Sequence, residues 1–479
     1  MQQSYLNYIN GVWGPALNGQ SITCYCPSNA QPIATIPASS AEDIDAAVKA
    51  ARNCFDSHVW TRMTATDRGR LLSLLGKEIN NRVETLSALE SMDTGKPLSQ
   101  ARNDIISAAR YFEFYGGAAD KIGGETLPYL NDYQVMLLRE PLGVTGHIIP
   151  WNYPAQMFGR TLAPALAMGN TVVLKPAEDA CLTPLVMTKI AEEVGFPAGV
   201  INLVCGLGPD AGSALASHPE IDFLSFTGSP EVGAHVQSLT AQNHIACTLE
   251  LGGKSPQIIF TDADLDAAIP IITRAIIQNS GQTCSAGSRV LIQKGIFDTV
   301  IDKLKDNFKT LIAGSHDQDC DLGPLISAKQ KERVEAYLAH VPPEFILAQG
   351  TIDSQASPSG FFYPPTLIGP LEPNHQLSQE EIFGPVLVVL EFNDEDEAIR
   401  LANGTRYGLV SGVWTRDGSR QIRMAIQLRC GQVFINCYGA GGGVELPFGG
   451  TKKSGHGREK GLAALLEFSQ IKTVVQYIG

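Results

Sequence analysis

Between residues 143 and 251 the chain repeats one pattern: a short apolar run, a turn, then a stretch with helical spacing. The spacing predicts strands over 143–149, 171–174, 200–204, 221–226 and 246–251, with helices over 185–194 and 210–217. Strands that alternate with helices require right-handed crossovers, and these build a parallel, doubly wound sheet. Such a sheet binds its ligands at the carboxyl ends of its strands. Few other architectures accept this pattern.

The chain has 479 residues, too many for one core, which rarely grows past about 250. From about residue 253 a second α/β alternation begins, with strands over 288–293 and 386–390 and a helix after Phe297. A junction near 250 places a cleft between two α/β halves. The region before 143 reads helical after a strand-rich start. Ser39 and Glu42 form a predicted capping box, followed by an apolar stripe of Ile44, Ala47, Val48 and Ala51. Helical spacing recurs over 71–75 and 105–112.

Composition excludes several function classes. Apolar residues make up 44% and charged ones 18%, which rules out disorder. The net charge of −13 argues against nucleic acid or an anionic membrane as partner. The uncharged stretch 141–159 is broken by prolines and glycines and is no membrane span. The first residues lack the basic-then-apolar pattern of a signal peptide. Ten cysteines lie scattered, with no CxxC and no Cys/His cluster. We expect reduced thiols, no bound metal and a cytoplasmic location.

Five segments carry candidate chemistry. Gly206-Leu207-Gly208-Pro209-Asp210-Ala211-Gly212 follows a strand and opens a helix. Its GxGxxxG spacing is one residue longer than the dinucleotide fingerprint, so an ordinary turn is the other reading. Phe226-Thr227-Gly228-Ser229 precedes Pro230 and Glu231, a good helix start whose free N–H groups suit a pyrophosphate; a plain serine cap would look the same. Cys284 sits in Asn279-Ser280-Gly281-Gln282-Thr283-Cys284-Ser285-Ala286-Gly287, where small neighbours leave a thiol approachable. A free thiol is mostly protonated at neutral pH and needs a base or oriented dipoles. Glu250 ends an apolar strand in Leu249-Glu250-Leu251-Gly252-Gly253-Lys254, as a tuned base or as an ion pair with Lys254. Asn152, in Pro150-Trp151-Asn152-Tyr153-Pro154, is either an oxyanion donor or a turn former.

In this order, and joined by Lys175-Pro176-Ala177-Glu178, Glu380-Glu381-Ile382-Phe383-Gly384-Pro385-Val386 and the stretch 447–459, these segments resemble the aldehyde dehydrogenase superfamily. The likeness runs from Ile9 to Phe468. It implies a Rossmann-like cofactor domain over 1–120 and 141–252 and a second α/β, catalytic domain over 253–450. It also implies a small β oligomerisation element from 121–140 and 451–479. Dimers or tetramers are expected, and 474–478 has the composition of a strand added to a neighbouring subunit.

The resemblance also implies roles. Cys284 would attack an aldehyde to give a thiohemiacetal, with Asn152 holding the oxyanion. Loss of hydride to NAD would leave a thioester, and Glu250 would activate the water that releases the free acid. NAD would lie along Pro150, Trp151, Lys175, Glu178, Gly208, Pro209, Phe226, Thr227, Gly228, Ser229, Leu251, Gly252, Glu381 and Phe383. NADP is the less favoured cofactor, because Glu178 would repel its 2′-phosphate. Tyr153, Met157, Arg160, Thr283, Ser285 and Phe448 would line the substrate pocket, with the glycine run 439–443 at its mouth. Medium-sized aromatic or aliphatic aldehydes are expected. Arg160 stands where semialdehyde-acid dehydrogenases carry a carboxylate-binding arginine, so succinic semialdehyde is the alternative; an ion pair is the other reading of Arg160. A non-catalytic family member is the remaining alternative.

Overall fold

The computed structural model describes residues 3–439 and 443–479. Two largely parallel sheets organise it. The first is ordered Gly455–His456, Ala246–Glu250, Phe223–Thr227, Val144–Ile149, Thr171–Pro176, Ile201–Leu203, Asn7–Ile9, Val12–Gly14. Its five central strands are mutually parallel. Antiparallel strands close both margins. Every residue of Val144–Ile149 and Thr171–Pro176 is buried, as strands covered on both faces must be. Chain order reverses at Val144–Ile149: Thr171–Pro176 lies on one side of it and Phe223–Thr227 on the other. The crevice expected at such a switch opens beside Trp151 and Gly228, in the turns that leave these strands.

The second sheet is ordered Ile346–Gln349, Thr366–Ile368, Val386–Phe392, Arg289–Gln293, Pro256–Ile259, Val410–Trp414, Gln432–Ile435. Only Ile346–Gln349 runs antiparallel to its neighbour. Cys284 precedes Arg289–Gln293, and Glu381 and Phe383 precede Val386–Phe392. The amino ends of this sheet therefore meet the carboxyl ends of the first, and the loops from both form one cleft.

Ser469–Tyr477 pairs along its whole length with Tyr133–Pro141, which also pairs with Glu125–Leu127. The tail thus adds a strand to its own chain, where the sequence suggested a neighbouring subunit. Its outer edge has no strand partner among the described residues. No described helix is long and apolar enough to cross a membrane.

Two local expectations shift. The first helix, Ala41–Asp56, is capped by Ser40 with Asp43, not by Ser39 with Glu42. Ser39 is buried and its hydroxyl accepts from Asn7 Nδ2 at 2.8 Å, so it is not free to cap. The helix expected over 210–217 starts earlier, as a wide turn Gly208–Gly212 continued by Ser213–Ala216. Pro209 fits that first turn because the N–H it lacks would have had no partner there.

Candidate active site

The loop carrying Cys284 leaves the helix Leu265–Ile277 through three successive left-handed residues: Asn279 (φ 48°), Ser280 (φ 57°) and Gly281 (φ 74°). Such a conformation costs of order 1–3 kcal/mol at a non-glycine residue and persists only where its surroundings enforce it. Here the Asn279 N–H donates to Gln100 Oε1 at 2.9 Å, and Ser280 Oγ to Gly323 O at 2.7 Å. Gln282 completes the clamp: it donates to Asn279 O at 3.0 Å and accepts from the Ile326 N–H at 2.9 Å. At Gly281 a Cβ would stand 2.1 Å from Gly384 O, so only glycine fits. The loop holds Cys284 partly exposed, facing a cavity of about 1030 Å³.

Asn152 faces the same cavity from the turn after Val144–Ile149. Its Nδ2 donates to Gln282 O at 2.9 Å, which leaves a second N–H. The next residue, Tyr153, shares a 2.7 Å hydrogen bond between its OH and Thr283 Oγ1. Burial pushes the Cys284 thiol up to about 12; Arg160 opposes this, while Glu250 and Glu381 add to it. The resting sulfur is thus a thiol.

Glu250 ends its strand 2% exposed, with neither carboxylate oxygen hydrogen-bonded. Burial, reinforced by Glu459, holds its carboxyl well above the usual range, and Arg160 offsets part of the rise. The ion pair with Lys254 that the sequence allowed is absent among the described residues. Arg160 instead lies 3.7 Å from Glu250 and 2.5 Å from Glu459. A buried carboxyl held above its usual range, facing the same cavity as a thiol, can take up and return a proton.

The cofactor candidates divide into three groups. Pro150, Trp151, Thr227, Gly228, Ser229, Gly252, Glu381 and Phe383 line the cavity. Ser229 caps the helix Pro230–Ala241 by accepting from the Val232 N–H. Thr227 Oγ1 is buried without a hydrogen-bond partner. Glu381 accepts from the Gly253 N–H at 2.9 Å, and a Cβ at Gly252 would strike its carboxylate. Trp151 and Phe383 meet edge to face at 5.4 Å. These groups fit a dinucleotide: a helix N-terminus for pyrophosphate, an orphaned hydroxyl, and a carboxylate approached through glycine. Lys175, Glu178 and Gly208 form a separate cluster, with Lys175 Nζ 2.8 Å from Glu178 Oε2 and the Gly208 N–H donating to Oε1 at 3.4 Å. Pro209 is exposed beside them. Phe226 and Leu251 are buried in the core beneath the cleft and do not line it.

All six substrate-pocket candidates, Tyr153, Met157, Arg160, Thr283, Ser285 and Phe448, line the cavity. Arg160 is ion-paired to two carboxylates and stacks 4.4 Å over the Phe448 ring, though its Nε and Nη2 make no hydrogen bond. Gly439 and Gly443 reach the cavity, while 440–442 of the glycine run lie outside the described residues. Sequence reasoning missed Phe434 and Tyr438, which add an aromatic wall. Tyr438 OH also donates to Ser285 O at 2.7 Å. No local motif marks either residue. It missed Asp104 as well, which lines the same cavity.

The aldehyde dehydrogenase family model matches residues 13–474. The chain is 41% identical over 473 residues to the mitochondrial aldehyde dehydrogenase family 2 member B4 of Arabidopsis thaliana, covering 98% of this chain and 87% of that one. A Burkholderia cenocepacia crystal structure superposes with a TM-score of 0.98 at 54% identity, covering 99% of this chain and 100% of that one. The NAD+ complex of Staphylococcus aureus betaine aldehyde dehydrogenase superposes with a TM-score of 0.96 at 36% identity, covering 100% and 95%. With a match of this extent, and with a cysteine, a carboxyl and an amide turned into one cleft, this chain belongs to the aldehyde dehydrogenase family.

Proposed function

We propose that the protein oxidises a medium-sized aromatic or aliphatic aldehyde to the free carboxylic acid, with NAD as hydride acceptor. The observation that carries this reading is the meeting of Cys284, Glu250 and Asn152 at one cavity that continues past Gly228, Ser229, Glu381 and Phe383. The Cys284 proton passes to the Glu250 carboxylate and on to solvent as the sulfur bonds to the aldehyde carbon. The carbonyl oxygen becomes an oxyanion beside the second Asn152 N–H, a donor fixed before the charge develops. NAD, when bound, accepts the hydride that leaves this carbon, and a thioester to Cys284 remains. Glu250 takes a proton from water as the water attacks, and the C–S bond breaks to release the acid and restore the thiol. A retained Glu250 favours water over coenzyme A as the acyl acceptor.

The wall of Phe434, Tyr438 and Phe448 supports an apolar or aromatic substrate. Arg160 is matched by Glu459 and Glu250, which disfavours its use on a substrate carboxylate. Arg160 and Lys460 both lie over the Phe448 ring, at 4.4 and 5.5 Å. Two cations thus already lie against that ring, and their charge disfavours a quaternary ammonium aldehyde beside it. We read NAD as preferred over NADP because the resemblance assigns Glu178 to the adenosine ribose, where its charge would repel a 2′-phosphate. The open edge of Ser469–Tyr477 fits a homodimer or homotetramer, and the scattered cysteines fit a reducing cytoplasm. The test is absorbance of reduced nicotinamide on mixing with NAD and benzaldehyde, hexanal, succinic semialdehyde or betaine aldehyde. The first two should turn over best. A preference for the semialdehyde or for betaine aldehyde would overturn the substrate class.

A further inference from the structure

Asn152 is gripped from behind. Its main-chain oxygen accepts from Lys96 Nζ at 2.9 Å and from Asn279 Nδ2 at 2.9 Å. Lys96 is 1% exposed. It follows the helix Val83–Thr94, and its ammonium lies 2.5 Å from Asp104, 3.7 Å from Glu90 and 4.4 Å from the Tyr153 ring centroid. Both carboxylates also reach the helix that begins just after Asn152. Asp104 accepts from Gln156 Nε2 at 2.6 Å, and Glu90 from the Ala155 N–H at 3.4 Å.

Buried ion clusters are poor stabilisers, since apolar replacements of equal volume are often neutral or better. An apolar residue at 96 could fill the space but could not donate to the Asn152 carbonyl. The second donor at that carbonyl, Asn279, belongs to the strained loop of Cys284. One oxygen thus ties the amide donor to the nucleophile loop, and Lys96 fixes where that oxygen sits. We propose that Lys96 is a positioning residue for the oxyanion donor, acting through the Asn152 main chain with Asp104 and Glu90 as its anchors. This rests on the reading of Asn152 given above.

The test is a double-mutant cycle read by the single-turnover appearance of reduced nicotinamide. Lys96→Met is combined with Asp104→Asn, so that the nearer carboxylate is not left unpaired, while Glu90, 3.7 Å from the ammonium, is kept. The pair should slow the single turnover by about 10- to 100-fold, the cost of a displaced catalytic group, with the Kd for NAD changed less than about twofold. On an Asn152→Ala background the same pair should cost less than about threefold, because the group it positions is gone. An unchanged rate in the otherwise native protein, or equal fold losses on both backgrounds, overturns the proposal. If the pair does not fold, Asp104→Asn alone is read in the same cycle, with the same non-additivity expected and additivity overturning it. A native rate for Asn152→Ala by itself sinks the reading of Asn152 and this inference with it; additive losses sink this inference alone.

Discussion

Arg160 is committed to Glu459: Nε and Oε2 are 2.5 Å apart, with side chains 11% and 3% exposed. The relationship decides between two meanings of one arginine, a substrate anchor or a structural cation. A guanidinium so placed cannot be truncated cheaply, since removing one partner of a buried pair costs about 3–5 kcal/mol. Arg160→Ala should lose about that much stability in denaturant titration. Its kcat/KM should fall by similar modest factors with benzaldehyde, hexanal and succinic semialdehyde. A collapse confined to the semialdehyde would restore the anchor reading.

Cys284 and Glu250 act in successive steps, so their variants should fail differently. Cys284→Ala should abolish oxidation. Glu250→Gln should still release one equivalent of reduced cofactor in a burst and then turn over slowly, because thioester hydrolysis is impaired more than the earlier proton transfer. Stopped-flow absorbance separates the two. Wild-type turnover in Cys284→Ala would refute the covalent route.

Both residues were legible in the sequence because their segments are chemically odd: a thiol among small residues, and a carboxylate ending an apolar strand. The parallel sheet was legible for the same reason, since its strands are apolar on both faces. Lys96 was not. Its partners Glu90, Asp104 and Asn152 come from separate elements, and no local pattern shows which chain turns converge on one carbonyl. The Ser39 cap failed likewise, because the Asn7 amide that donates to its hydroxyl and takes it out of play is 32 residues away. Arg160 could be read two ways until Glu459, far along the chain, was seen beside it.

Asn152→Ala should lower turnover by about 10²–10³-fold, the usual cost of one oxyanion donor. Affinity for NAD, measured by calorimetry, should hardly change. Unchanged turnover would make Asn152 a turn former, with another group holding the oxyanion.

Glu178 should set the cofactor preference. Its carboxylate is held below the usual range, with Lys175 and the Gly208 N–H offsetting the cost of burial, so it stays charged at neutral pH. A 2′-phosphate beside it meets like charge. The ratio of kcat/KM for NAD over NADP should exceed about tenfold, one power of ten for each 1.4 kcal/mol of discrimination. It should shrink in Glu178→Gln. Equal use of both cofactors by the native protein would overturn the assignment.

Asp93 should make stability depend on pH in a direction opposite to that of an ordinary salt-bridged carboxylate. It is 0% exposed at the end of the helix Val83–Thr94; one oxygen accepts from the Leu182 N–H at 2.9 Å, and the other has no partner. Burial, with Glu90 adding to it, pushes its carboxyl up to about 8. In the unfolded chain the same group releases its proton near pH 4. Between those values the native state binds more protons than the unfolded one, so stability falls as pH rises. The contribution is complete below about pH 4 and is lost as pH climbs through about 8, at up to about 1.4 kcal/mol per pH unit. Asp93→Asn keeps an oxygen for the Leu182 N–H and offers an amide to the orphaned side, but it cannot ionise. Urea midpoints of the two proteins should therefore lie closest at the acid end, near pH 4.5, and diverge steadily toward pH 8, with the asparagine variant the more resistant. Parallel curves across that range would mean that Asp93 is charged in the native protein at neutral pH, with a counter-charge that the Val83–Thr94 helix and its neighbours do not supply.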